Sequence, residues 1–184
     1  MFSNTLLLPL SSIRSNIFSI TRGTITVSND AKEFSKEDFK TATDIYLNYG
    51  ADPVVPVDKN KAHKLIANSI AKGEFVAILR DSKENKVTGA IIATEVDHPY
   101  SSAKILQQSF YVSSYHGIKA AHALLLAHEI LLMYAKAKHF SHVLSACSHM
   151  DDSQQLCRLL EKRGWCVKGY LAYFKLGEEI SWQQ

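Results

Sequence analysis

Residues 111–132, YVSSYHGIKAAHALLLAHEILL, join a strand-like end to a long apolar helix through a short Ser/Gly stretch. A strand that delivers a glycine to a helix N-terminus gathers converging backbone N–H groups at the positive end of a helix dipole, which is anion-binding chemistry. This helix opens with His116, Gly117, Ile118 and Lys119, so one glycine and one cation stand where such loops commonly carry several glycines. Groups able to move a proton cluster in two other stretches. ATEVDHPY holds Glu95, Asp97 and His98, and SACSHMDD holds Ser148 and His149. Metal ligation lacks its spacing. His122 and His128 are six apart, about 240° round a helix, so they do not share a face. Neither H-E-x-x-H nor C-x-x-C occurs, and no metal site is expected.

The elements that must position these residues follow from periodicity. A chain of 184 residues, 46% hydrophobic and 21% charged, has the length and composition of one soluble globular domain. The formal charge of +3 is spread along the chain, and no Lys/Arg block supports nucleic-acid binding. Six histidines between His116 and His149 would add positive charge there toward pH 6. Cys147, Cys157 and Cys166 are odd in number, which points to a reducing, cytoplasmic setting over a disulfide framework. No uncharged apolar run reaches a membrane span, since the nearest is broken by His122, His128 and Glu129. Residues 1–29 hold Arg14, Arg22 and several serines but no acid, a composition close to that of an organelle transit peptide. The alternative is a surface extension, residues 1–22, that docks to a protein partner.

TITVSND (24–30) alternates as a strand does, and Ser35 with Asp38 makes a capping box. A first helix then aligns Phe39, Ala42, Ile45, Tyr46 and Tyr49 and stops at Gly50. After the extended ADPVVPVD linker, Asp58 caps a second helix with Ala62, Leu65, Ile66 and Ile70 as its buried stripe. FVAIL and VTGAIIATEV flank a polar turn as a hairpin, and KILQQSFYV is a further strand. The long helix runs from about His116 to Lys138; HVLSAC is a strand, SQQLCRLLEKRGW a short helix closed by Gly164, and CVKGYLAYFKL a last strand or bent pair. The order β-α-α-β-β-β-α-β-α-β implies an α/β (α+β) fold: a mixed, mostly antiparallel sheet with helices on both faces. Its single parallel crossover spans 104–147.

Two segments carry a family resemblance over roughly residues 24–176. FYVSSYHGIKAAHALL is similar to the strand, Q/R-x-x-G-x-G/A and ALL of the GNAT superfamily of acetyl-CoA-dependent N-acetyltransferases. SQQLCRLLEKRGW is similar to that family's N-x-x-A-x-x-L-Y-E-K-x-G-F. The resemblance implies a GNAT-like acyltransferase domain over 23–184, with acetyl-CoA as co-substrate and no metal. It implies that His116, Gly117, Ile118, Lys119, Ala120 and Ala121 form the pyrophosphate loop, and that the Val112 backbone meets the pantetheine arm and polarises the thioester carbonyl. Ser153 falls at the position of the family's asparagine.

His116 replaces Gln or Arg, Lys119 replaces the first motif glycine, and Leu160 replaces the tyrosine that protonates the leaving thiolate in many members. Cys157, one turn before Leu160, shares its face and is the candidate acid, although free cysteines usually act as small buried hydrophobes. Deprotonating an amine acceptor falls first to Glu95 and second to His149, each of which also reads as an ordinary hairpin-end or loop residue. Two functions are therefore expected in competition. One is direct acetyl transfer to a small-molecule or protein amine. The other is a catalytically degenerate subunit of the same fold, such as a viral-particle component, docked through residues 1–22.

Overall fold

In the computed structural model, the described residues are 16–50, 58–72, 74–97, 100, 102–145 and 153–165. The chain divides into two compact units, residues 1–145 and 146–184. The first is built on a six-stranded sheet whose spatial order follows the chain: β1 (Ser19–Arg22), β2 (Ile25–Ser28), β3 (Phe75–Asp81), β4 (Lys86–Asp97), β5 (Lys104–Ser113) and β6 (His142–Leu144). All neighbours are antiparallel except β5 and β6, which are parallel and joined across α3 (Gly117–Ala137). The mixed, mostly antiparallel sheet and its single parallel crossover are as the sequence implies.

α1 (Lys36–Ile45) and α2 (Lys59–Ala71) lie between β2 and β3 in sequence. Ser35 caps α1 through a complete capping box with Asp38, and one π-helical turn, Tyr46–Gly50, continues it. Asp58 caps α2 by accepting the N–H groups of Asn60 and Lys61 at 2.9 and 3.1 Å. Lys59 of α2 reaches Asp44 of α1 at 2.8 Å. Of the expected α2 stripe, Leu65 is 58% exposed, Ser69 on the same helix is buried as its small size allows, and the side chains of Ile66 and Ile70 lie outside those described. The sheet also begins earlier than TITVSND suggests. Ser19–Arg22 pairs with Ile25–Ser28 across a tight turn at Gly23, whose φ of +59° suits glycine.

Alternation along the strands separates two cores. Ile25, Val27, Phe75, Ala77, Leu79, Ile91, Ala93 and Leu106 pack with Ala123, Leu126, Ala127, Ile130, Leu131 and Ala135 of α3. By length and composition α3 is also apolar enough to span a membrane, but this packing makes it a core helix. On the opposite face Val76, Ile78, Val87, Ala90, Ile92 and Val112 meet Ala42, Ile45, Phe34, Phe39 and Tyr46. Two bulges shift the alternation. Leu79 pairs with Gly89 but Arg80 with Val87, which makes Thr88 an extra residue in β4. Ile92 pairs with Phe110 but Ala93 with Gln108, which makes Ser109 the extra residue in β5. As a result Leu106 and Tyr111 face α3, while Phe110 and Val112 face α1.

In the second unit, α4 (Ser153–Glu161) ends on Gly164 at φ +87°, with Trp165 N–H donating to Leu160 O at 3.1 Å. That left-handed residue and the long back-bond form a Schellman cap, as the sequence implies. The last expected strand, CVKGYLAYFKL, and most of the proline-rich linker lie outside the described residues.

Candidate functional site

The carboxyl end of β5 is locked to β4 by close backbone approach. Val112 pairs with Ala90 and Ser113 with Gly89. A Cβ built at Gly89 would lie 2.3 Å from the Val112 carbonyl oxygen, so only glycine fits there. The sequence reading did not single this residue out, although a glycine inside a strand pattern signals such an approach. Beyond the strand, Ser114 donates to the Thr88 carbonyl through its N–H at 2.8 Å and its hydroxyl at 3.2 Å. Tyr115 N–H donates to Ser113 Oγ at 3.2 Å. These bonds pin the loop to the bulge in β4 and fix where α3 starts.

His116 is extended and offers no side-chain cap to the helix. Gly117 follows in the left-handed region, at φ +56°, where an L side chain is strained. A Cβ there would meet no atom within 4 Å, so conformation and not crowding requires the glycine. Ala120 N–H makes the first back-bond, to His116 O at 3.4 Å, and the N–H groups ahead of it belong to the turn that a helix leaves without internal acceptors. Ile118 is 78% exposed, and Ala120 and Ala121 are half-buried. The result is an uncapped, positively polarised helix end at the tip of the central strand.

Lys119 does not extend freely into solvent. Its ammonium lies 3.3 Å from Asp81 Oδ2 and 4.1 Å from the centre of the Tyr115 ring. Tyr115 OH donates to the same carboxylate oxygen at 3.5 Å. Asp81 sits at the end of β3 and accepts the Lys83 N–H as well. That bond first, and Lys119 after it, outweigh desolvation and hold its carboxyl below the ordinary aspartate range.

The β5–β6 ladder ends near this site. β5 is laddered to β6 only through Ile105, Leu106 and Gln107, against His142, Val143 and Leu144. Among the described residues, Gln108–Ser113 have no strand partner on that side. On the α1 face, Phe110 stacks at 5.0 Å on Tyr46 of the π-helical turn, and both rings are half-buried. On the α3 face, just past the end of the ladder, Ser145 Oγ lies 2.8 Å from His128 Nε2 and donates to Gln108 Oε1 at 2.7 Å. His128 Nδ1 bonds to Leu124 O at 2.9 Å. His122 is exposed and His128 buried, in keeping with their reading as edge and packed residues of the helix. The polar chain through Ser145 and Gln108 was not foreseen.

The remaining candidates lie elsewhere. Glu95 is exposed on β4, opposite Leu106, five residues from the Ala90 that pairs with Val112. At 3.3 Å per residue, that is about 17 Å from the strand tip. Its carboxylate pairs with Lys104 at 3.2 Å. It also faces α3, where, after burial, its charge raises the pKa of the Tyr134 hydroxyl. His149 lies outside the described residues. Ser153 opens α4, and Cys157 is a half-buried free thiol one turn before the buried Leu160. The structure thus brings Val112 and His116–Ala121 together and does not bring Glu95 to them.

No protein-family model and no curated protein matches the sequence. Solved structures do match the fold. Glucosamine-6-phosphate N-acetyltransferase from Arabidopsis thaliana aligns over 84% of this chain and 99% of its own, with a TM-score of 0.60 at 9% identity. A GNAT family acetyltransferase from Staphylococcus aureus aligns over 84% and 100%, with a TM-score of 0.54 at 14% identity. The Salmonella typhimurium protein yncA, solved with its cofactor acetyl-CoA, aligns over 80% and 82%, with a TM-score of 0.55 at 16% identity. At these identities the likeness lies in backbone architecture, and on that ground this chain has the GNAT acetyltransferase fold.

Proposed function

We propose that the protein is an N-acetyltransferase that moves an acetyl group from acetyl-CoA to an amine by direct attack. The observation that carries this reading is Gly117. A left-handed glycine opens an uncapped helix at the tip of β5, beyond the last residue laddered to β6. Such an end suits a diphosphate, and the open space where a Gly117 Cβ would stand gives the anion room to approach. When bound, CoA supplies an activated thioester.

The chain supplies the rest. The backbone of His116–Ala121 and the Lys119 ammonium would hold the diphosphate. The Val112 backbone, fixed by its contact with Gly89, would orient the acyl arm and polarise its carbonyl. Holding amine and thioester side by side removes most of the entropic barrier to their reaction. Tyr46 and Phe110 would wall the acceptor side. The acceptor belongs to the amines, small-molecule or protein.

A second reading, a non-catalytic subunit of the same fold, draws on Leu160. It is buried and apolar where an acid would serve, which is the behaviour of a packing residue. Titrating the full-length protein with acetyl-CoA separates the two. Ligand at a hundred times its Kd adds about 2.7 kcal/mol of stability and so raises the melting temperature. No heat of binding and no shift at millimolar ligand would sink the enzyme reading. Where binding is seen, Gly117→Glu is expected to abolish it by placing a carboxylate against the diphosphate.

A further inference from the structure

His128 stands in the middle of an apolar helix, 2% exposed, with Nδ1 2.9 Å from the Leu124 carbonyl oxygen and Nε2 2.8 Å from Ser145 Oγ. The Leu124 carbonyl can only accept, so Nδ1 carries the hydrogen of that 2.9 Å bond. The neutral ring therefore presents its lone pair at Nε2, and that atom lies 2.8 Å from Ser145 Oγ. Burial lowers the pKa of His128 more than the bond to Leu124 raises it, so the ring is neutral, a proton acceptor, near pH 7. Among the groups that the described residues place around it are Tyr111 and Gln108 of β5, Ser145 after β6 and Leu124 of its own helix. None of them carries a charge at that pH. A histidine oriented through one nitrogen, with the other at hydrogen-bond distance from a serine hydroxyl, is the arrangement of a base and its nucleophile.

We propose that Ser145 is a nucleophilic hydroxyl, activated by His128, that accepts acyl groups from activated esters or thioesters. Its place in the fold suits that role. Gln107 and Leu144 are the last laddered pair of β5 and β6 among the described residues, so Gln108 and Ser145 are the first residues past that ladder on either strand. Ser145 is half-buried, and the Gln108 amide 2.7 Å away fixes its hydroxyl. In the resting bond the hydroxyl hydrogen points to Gln108 Oε1, and a hydroxyl rotation turns it to Nε2.

As Oγ attacks the acyl carbonyl carbon, its proton passes to Nε2 and the oxygen–carbon bond forms. Collapse of the tetrahedral adduct breaks the donor's carbonyl–sulfur or carbonyl–oxygen bond, and the Nε2 proton leaves with the thiolate or alkoxide. Water then attacks the acyl-serine. Nε2 takes its proton and returns it to Oγ, releasing the carboxylic acid. Direct transfer from acetyl-CoA to an amine needs no such intermediate, so this activity stands apart from the reading above.

The full-length protein is to be treated with p-nitrophenyl acetate and, separately, with an alkyl fluorophosphonate, and the modified peptides mapped by mass spectrometry. The expected result is one acetyl or phosphonyl group on Ser145, formed ahead of any on the exposed Ser141. Ser145→Ala removes it. His128→Gln, checked for folding by circular dichroism, slows it by about a hundredfold. The map on the unmodified sequence decides the matter even where the His128 variant does not fold. No adduct at Ser145 overturns the proposal, and so does an adduct that forms as fast in the folded His128→Gln protein.

Discussion

Lys119 stands where the resemblance to the GNAT loop motif places a glycine, and its ammonium is already engaged by Asp81 and the Tyr115 ring. A half-exposed pair of this kind is screened by solvent and is weak. That leaves it open to displacement by a diphosphate, at some cost in affinity. Asp81→Asn is therefore expected to tighten acetyl-CoA binding about threefold to fivefold at low salt, with the gain shrinking as ionic strength rises. Calorimetric titration at two salt concentrations checks this, and an unchanged or weaker affinity would mean that Lys119 takes no part.

Gly89 makes a prediction about packing. Gly89→Ala puts a methyl 2.3 Å from a backbone oxygen that cannot move without disturbing the β4–β5 pairing. Overpacking of this kind costs about 1–3 kcal/mol, measurable by urea unfolding. A variant as stable as the parent would mean that β4 and β5 can separate there freely. The two glycines also show what a sequence reveals. Gly117 announced itself by standing at a helix start, whereas Gly89, inside a strand pattern, was passed over. The bond from Ser145 to His128 spans 17 residues and that to Gln108 spans 37, and only the crossover through α3 brings the three together.

Among the elements, α1 shows local chemistry and tertiary chemistry meeting on one side chain. Asp38 completes the capping box with Ser35, which the sequence displays, and also forks with Arg80 of β3 at 3.0 and 2.8 Å, across 42 residues that no local pattern bridges. Burial alone would raise its pKa. The hydrogen bonds from Arg80 and Ser35, together with the guanidinium charge, overcome that and hold it below the ordinary 3.8. A carboxyl depressed on folding gives stability that is complete above its unfolded value and is lost as pH falls through the folded one. Melting temperature is thus expected to fall below about pH 4. Asp38→Asn should cost about 1–2 kcal/mol at pH 7 and flatten that part of the fall. A variant whose acid profile overlays the parent would put the titration elsewhere.

The edge strand explains an element that pattern reading missed. β1 offers one half-buried side chain, Ile20, among exposed Ser19, Thr21 and Arg22, so it carries no alternation to detect. α3 is the opposite case, legible because it is apolar nearly all round. Ile130→Ala, emptying space at a fully buried position, is expected to cost about 2–5 kcal/mol by urea unfolding, and a loss under 1 kcal/mol would place Ile130 outside the core.

For the whole first unit, the order of the sheet sets an order of opening. Every strand lies beside its sequence neighbour, and β3, β4 and β5 form the centre, buried on one face by α3 and on the other by α1. Opening β4 would break two antiparallel ladders and both cores at once, whereas β1 has one ladder and a mostly exposed surface. Local opening costs least where few apolar contacts are lost. Native-state hydrogen exchange is therefore expected to rank amides of β3–β5 and the middle of α3 as slowest, close to the global unfolding limit, with β1 and the exposed face of α2 exchanging orders of magnitude faster. The Ser114 amide, bonded to Thr88 O, should follow the slow group, because it is the tie that holds the α3 loop to the sheet. If Ser114 instead exchanged with β1, the loop would open without the sheet, and the helix end it presents could not be the rigid cradle that the proposed function requires.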